Sequence, residues 1–208
     1  MPAPIAPVTL TGRTVRLEPL ALDHVDALAA VAFDGPIFRW YPVNIDTPAD
    51  LERWVRDALA AQEAGTALPF ATVLLDGERV VGSTRFMNIS VYDGRFEIGS
   101  TWVTPRHQRT AVNTESKLLM LRHAFDTLGA RRVELKTHAL NEQSRRGIER
   151  LGAQFEGTHR NHMLMADGSM RDTVWYSIID TEWPAVKARL EAWLEPGHVA
   201  PSLSGAQS

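Results

Sequence analysis

The residues with the most chemical potential lie between Glu97 and Lys117, in the run EIGSTWVTPRHQRTAVNTESK. Phe96 to Val103 reads as a strand, with Ile98, Trp102 and Val103 as bulky strand formers. Pro105 ends it, because proline cannot donate to a ladder. Small and polar residues fill Gln108 to Thr114. An apolar series then predicts a helix from about Thr114 to Leu128, with Leu118, Leu121, Phe125 and Leu128 on one stripe. A strand that passes through a loop into a helix can hold an anion, since the first amides of a helix lack partners within it. The chemistry expected here is therefore the binding of a phosphate-bearing cofactor. Ala111 in the loop implies ordinary backbone dihedrals where glycine would permit others. Asn113 or Thr114 is placed to cap the helix. Taken alone, the same residues are equally consistent with a plain strand–loop–helix joint.

The hexapeptide Gln108-Arg109-Thr110-Ala111-Val112-Asn113 resembles the pyrophosphate loop Gln/Arg-x-x-Gly-x-Gly/Ala of the GNAT superfamily of N-acetyltransferases. Ala111 replaces its first glycine and Asn113 its last small residue. The continuation Thr114-Glu115-x-Lys117 is similar to the branch of ribosomal-protein N-terminal acetyltransferases, and the similarity runs roughly from Leu10 to Trp193. The resemblance implies acetyl-CoA as co-substrate, with its pyrophosphate on the loop from Gln108 to Thr114. It implies an amide near Trp102 and Val103, beside a bulge, that polarises the thioester carbonyl. It also implies a general base at Glu97, which strand alternation places on the face of Gly99 and Thr101. A solvated edge glutamate, or an ion pair with Arg95 or Arg85, is the alternative.

Asn141-Glu142-Gln143-Ser144 resembles the superfamily's Asn-x-x-Ser/Ala motif, whose asparagine contacts the pantetheine arm. A helix N-cap at Asn141 with Ser144 at the third helical position is equally consistent and does not exclude that contact. Many relatives carry a tyrosine acid four residues further on, where this chain has Ile148. Ser144 or a water is left to protonate the thiolate, although a serine hydroxyl is a weak acid. Arg146, with Arg145, is expected either at CoA phosphates or on a solvated helix face.

For the acceptor, the loop Arg39-Trp40-Tyr41 corresponds to the substrate wall of such enzymes, and Arg85 and Asn88 are expected on the same cleft. Aromatics with an arginine can grip a peptide backbone or an acidic group, or they can pack in a core. His159 and His162 fall on opposite faces of an alternating strand, so joint metal ligation is not expected.

The elements that must position these residues read in the order β-α-α-β-β-β-α-β-α-β-β, followed by a helix from Glu182 to Trp193. Turn signals stand at Asp76-Gly77, Asp93-Gly94 and Asp167-Gly168. This is an α+β pattern. The resemblance implies a mixed, mostly antiparallel sheet of about seven strands flanked by helices, two of which part to admit pantetheine. One domain is expected over residues 8–194, between flexible ends at 1–7 and 195–208. The closing helix, with Trp183 and Trp193, is expected to pack on its own sheet or on a second copy, since many relatives are homodimers.

At 208 residues and 44% hydrophobic, the chain can fill one core. A net charge of −3 gives no footprint for nucleic acid or membrane. No apolar run nears the roughly 20 residues a membrane span needs, and the N-terminus lacks a signal-peptide pattern. The absence of cysteine excludes disulfides, thiolate metal sites and a cysteine nucleophile, and suits a reducing cytoplasm. The expected activity is direct acetyl transfer from acetyl-CoA to a primary amine. The acceptor is either a protein N-terminus or a small amine such as an amino acid, polyamine or antibiotic. A catalytically silent acyl-CoA-binding module is the alternative from another class.

Overall fold

The computed structural model describes residues 5–195. Of the expected flexible ends, residues 1–4 and 196–208 lie outside the described residues; Ile5, within the first of them, packs against the core.

Eight strands form one sheet: β1 (Leu10–Thr11), β2 (Val15–Pro19), β3 (Leu68–Leu74), β4 (Arg79–Ser90), β5 (Arg95–Val103), β6 (Arg132–His138), β7 (Gln154–Leu164) and β8 (Met170–Ile179). Their spatial order is β1-β2-β3-β4-β5-β6-β8-β7. The segment around Thr11-Gly12 is two strands, which makes eight where about seven were expected. Every neighbouring pair is antiparallel except β5 and β6.

That parallel pair is short. It joins only Arg95–Glu97 to Arg132–Glu134, although β5 continues to Val103 and β6 to His138. Beyond Glu97 and Glu134 the two strands part, and the polar groups of both edges are left to something other than the ladder.

Helices α1 (Val25–Ala32) and α2 (Pro48–Glu63) cover one face through a cluster that includes Leu28, Leu51, Trp54, Val55 and Trp102. Thr47 caps α2, accepting from the Asp50 amide at 3.2 Å, while Asp50 Oδ2 accepts from the Thr47 amide at 3.0 Å. On the other face α3 (Ala111–Arg122), α4 (Glu142–Leu151) and α5 (Trp183–Trp193) bury the main core, with Met120, Leu121, Ile148 and Leu190. α5 packs on its own chain: Trp183 stacks on Phe125, ring centroids 5.3 Å apart.

Five bulges break the simple alternation, and three of them shape the site. Thr84 of β4 is opposed by both Ser100 and Thr101, with Ser100 at φ 46°. Phe96 and Ile98 therefore face the main core and Trp102 the α1–α2 cluster, while Val103 returns to the main core. In β4, Asn88 is bulged at φ 49°; in β7, residues 160–162 oppose only Asp172, with Asn161 at φ 50°.

Candidate active site

Glu97 lies on β5 at the last rung before the strands part. It is only 1% exposed. Its Oε2 accepts from Asn88 Nδ2 at 2.7 Å and from Lys136 Nζ at 3.1 Å. Its Oε1 is buried without a hydrogen-bond partner. The expected partners, Arg95 or Arg85, are replaced by Lys136 and by the bulged Asn88. Gly99 shares its face: a Cβ there would stand 3.1 Å from Glu97 Oε1. Thr101 does not. The bulge at Ser100 turns it to the helix side, where its hydroxyl meets Thr84 Oγ1 at 2.7 Å and accepts from Lys117 Nζ at 2.6 Å.

The second half of the sheet extends this polar face. Val133 and Leu135 of β6 and Val174 and Tyr176 of β8 are core, so Lys136 and His138, and Thr173 and Trp175, fall on the opposite side. Lys136 Nζ sits 4.8 Å from the Trp175 ring centroid. His159 and His162 both pack on Trp175, with their own centroids 5.4 Å apart. The expectation of opposite faces fails because the two extra bulge residues bring His162 round to the side of His159. Among the described residues no group of three metal-ligating side chains forms. His162 Nδ1 meets Thr173 Oγ1 at 3.0 Å, and Arg171 Nε donates to the same hydroxyl at 3.0 Å. Burial holds His162 and His138 below the ordinary histidine pKa, helped by Lys136 at the first and Arg171 at the second, so both are neutral near pH 7. Lys136, Arg171 and Trp175 were not anticipated; the alternation in RVELKTH and RDTVWYS carried the signal.

On the cofactor side, α3 starts three residues earlier than expected. Thr110 is the cap, its Oγ1 accepting from the Val112 amide at 3.3 Å. Asn113 and Thr114, each expected as a candidate cap, are inside the first turn. The left-handed residue that turns the chain into the helix is Arg109, at φ 60°, not an ordinary backbone at every position. Arg109, Thr110 and Ala111 are exposed at the helix start. Val112 is 98% buried, its side chain part of the core. The Thr114 hydroxyl accepts from Arg150 Nη2 at 3.0 Å. Gln108 donates to the Val103 carbonyl at 3.1 Å and accepts from Gln143 Nε2 at 3.0 Å, which ties the end of β5 to the first turn of α4.

Asn141 caps α4, its Oδ1 accepting from the Ser144 amide at 3.1 Å. Ser144 is half-buried in that turn. Arg146 is paired with Glu142 at 3.4 Å on the exposed face. Arg145 is turned inward, toward the Tyr176 hydroxyl at 3.3 Å and the Ala139 carbonyl at 3.3 Å.

Among the residues expected to meet the acceptor, Arg39 stacks over Trp40 at 4.8 Å, and Trp40 lies 4.8 Å from His138, centroid to centroid. The Trp40 carbonyl accepts from Arg171 Nη1 at 3.2 Å, which fastens the α1–α2 loop to β8. A cavity of about 330 Å³ opens beside it, lined by Phe38, Arg39, Tyr41, Met165 and Asp167 among others. Arg85 lies under α2, with its guanidinium 4.3 Å from the Trp54 ring centroid. Trp102 is core, edge-on to Phe38 at 5.4 Å, and Val103 is buried on the other face.

The model of the acetyltransferase (GNAT) domain matches residues 14–154. YdaF of Bacillus subtilis, named as a candidate ribosomal N-acetyltransferase, is 30% identical over 117 residues, which span 56% of this chain and 62% of YdaF. A crystal structure of a GCN5-related N-acetyltransferase from Brucella melitensis is 36% identical, covers 94% of this chain and 89% of its own, and superposes with a TM-score of 0.86. Mycobacterium smegmatis RimJ, solved in complex with CoA-disulfide, shares the fold at 23% identity and TM-score 0.75, over 90% of this chain and 92% of its own. Among the described residues no helix is long and apolar enough to cross a membrane. The match of the domain model covers more than half of the chain, and the chain belongs to the GNAT family of N-acetyltransferases.

Proposed function

We propose that the protein transfers an acetyl group from acetyl-CoA directly to a primary amine, with Glu97 as the base. The carrying observation is that Glu97 is buried at the parting of β5 and β6 with one oxygen fixed and the other unpartnered. Asn88 and Lys136 orient the carboxylate. Oε1 remains to accept the ammonium proton of the acceptor before its nitrogen attacks.

The residues present fit acetyl-CoA. The backbone amides of the exposed residues Arg109, Thr110 and Ala111, with Asn113 in the first turn, would serve as donors to the pyrophosphate at the positive end of α3. Arg146, exposed on α4 and paired only with Glu142, is the arginine left to meet a CoA phosphate. Asn141 at the start of α4 would meet the pantetheine arm, and the edge of β5 around Trp102 and Val103, beyond its pairing with β6, would meet the thioester. Gln108 and Val112 act through their backbone only, since their side chains hold the loop and the core. When bound, acetyl-CoA supplies a thioester carbonyl whose carbon–sulfur bond breaks as the amide forms. Ser144, or a water beside it, returns a proton to the departing thiolate.

The acceptor reading is a protein N-terminus, supported by the likeness to YdaF; Arg39, Trp40, Tyr41 and Arg85 line its approach. Calorimetric titration with acetyl-CoA is the test, followed by thiol-release assays on peptide N-termini and on small amines. Binding with peptide turnover is the expected outcome. No binding at millimolar acetyl-CoA would overturn the reading, and turnover confined to free amino acids, polyamines or aminoglycosides would replace its acceptor.

A further inference from the structure

Arg85 is 8% exposed, yet its Nε and Nη2 have no hydrogen-bond partner. The Tyr41 hydroxyl, close enough for its charge state to be felt by Arg85, is also buried without a partner. Among the described residues no carboxylate comes within 4 Å of the Arg85 guanidinium; Asp57, whose field reaches it, is exposed on α2. Arg85 is a cation that the fold stacks on Trp54 and otherwise leaves unpaired. Burying a charge without a counter-charge is costly, and so are unmet donors.

The rest of the face does not relieve it. Arg171 is 7% exposed and is held by neutral acceptors, the Thr173 hydroxyl and the Trp40 carbonyl. Lys136 is already taken by Glu97. Three largely buried cations thus stand against one carboxylate, and what is missing is an anion.

Register says where that anion would sit. Arg85 pairs with Gly99 and Met87 with Glu97 across β4 and β5, so Arg85 and Glu97 are diagonal neighbours on one face, with Cα atoms roughly 7–8 Å apart by ladder geometry. Gly99 contributes no side chain between them; Met87 Sδ and Glu97 Oε1 lie over it.

We infer that the acceptor bears a carboxylate close to its amine, held by Arg85 and the Tyr41 hydroxyl while Glu97 takes the amine proton. A guanidinium fork suits a carboxylate in two parallel bonds, and the phenol adds a third donor. This rests on the acetyltransferase reading above and narrows its acceptor. The carboxylate is either the side chain of an acidic first residue of a peptide or the α-carboxylate of a free amino acid.

Matched acceptors separate these cases. Peptides beginning with Asp or Glu are compared with the same peptides beginning with Asn or Gln, and free amino acids with their amides, all at saturating acetyl-CoA. The expected result is a kcat/KM at least about tenfold higher for the acid member of one series. Arg85→Met should abolish that preference by depressing the acid member, and Arg85→Lys should retain part of it, while acetyl-CoA affinity stays as in the parent. Equal rates within both series, or a preference that survives Arg85→Met, would overturn the inference and leave the transferase reading standing. Calorimetry of the Asp and Asn peptides in the presence of CoA gives a readout apart from turnover. Selective binding of the Asp peptide without acetylation would keep the anion site and remove the transferase reading.

Discussion

Glu97 and Glu115 are both buried, and they are treated in opposite ways. Glu115 lies in α3 and clasps the β1–β2 turn: its oxygens accept from the backbone amides of Arg13, Thr14 and Val15 at 2.7, 2.7 and 2.8 Å. A Cβ at Gly12 would overlap that carboxylate, so only glycine lets the turn wrap it. Glu97 has one oxygen secured and one without a partner. A carboxylate whose acceptor sites are met by fixed backbone has nothing to exchange and serves as a strut. A carboxylate left with a buried oxygen that nothing contacts is the one that the proposed function assigns to taking a proton from the acceptor. The cations repeat the contrast. Lys117 donates to the hydroxyl of Thr101 and pins the β5 bulge from the α3 side, whereas Arg85 meets only an aromatic face.

The sharpest way to break the comparison is Glu97→Gln, which keeps the shape and removes the base. Turnover is expected to fall about 10²–10³-fold with acetyl-CoA affinity unchanged in calorimetry; a rate within twofold of the parent would return Glu97 to a structural role. Glu115→Ala should do the reverse. Stranding the buried Val15 amide and the part-buried amides of Arg13 and Thr14 is expected to cost about 2–3 kcal/mol in urea unfolding, with turnover per folded molecule preserved.

Lys117 sharpens the contrast through pH. Burial pushes its ammonium down to about 7, against an ordinary value near 10.5. Between these two values the unfolded chain binds a proton that the folded chain does not. Unfolding free energy should therefore rise with pH across that window, at up to about 1.4 kcal/mol per unit, and the folded state carries the full penalty below pH 7. Lys117→Met should flatten this slope and stabilise the protein most at acid pH. An identical pH profile in the two proteins would mean that the lysine stays charged.

The smallest effect is expected at Ala111→Glu. An acid in the first turn of α3 should raise stability by about 0.5 kcal/mol through the helix dipole while weakening acetyl-CoA binding by repelling its phosphates. Stability and affinity moving in the same direction would separate the cofactor from this helix end.

The element order, the three Asp-Gly turns and the strand–loop–helix joint were legible because they rest on local propensity and periodicity. So was the N-cap at Asn141, which depends on residues three apart. The failures cluster at bulges. Alternation put Thr101 with Glu97 and separated His159 from His162, and an extra residue in β5 and two in β7 reversed both. A bulge is decided by what the facing strand and the packed helix require, and one residue of slip exchanges the faces. The start of α3 was missed because Thr110 and Asn113 are both good caps; which one wins depends on Arg109 adopting a left-handed turn.

By itself the sequence determined an α+β chain of one core, the motif that relates it to its family, and Glu97 as the carboxylate at the head of the loop. Tertiary structure alone decided that Lys136 and Asn88 hold one oxygen of that carboxylate, that Glu115 is a strut, and that Arg85 is buried with no counter-charge. Propensity and pattern act over a few neighbours, whereas the pairing of a buried charge depends on groups brought together from strands about 40 residues apart, as Glu97 and Lys136 are.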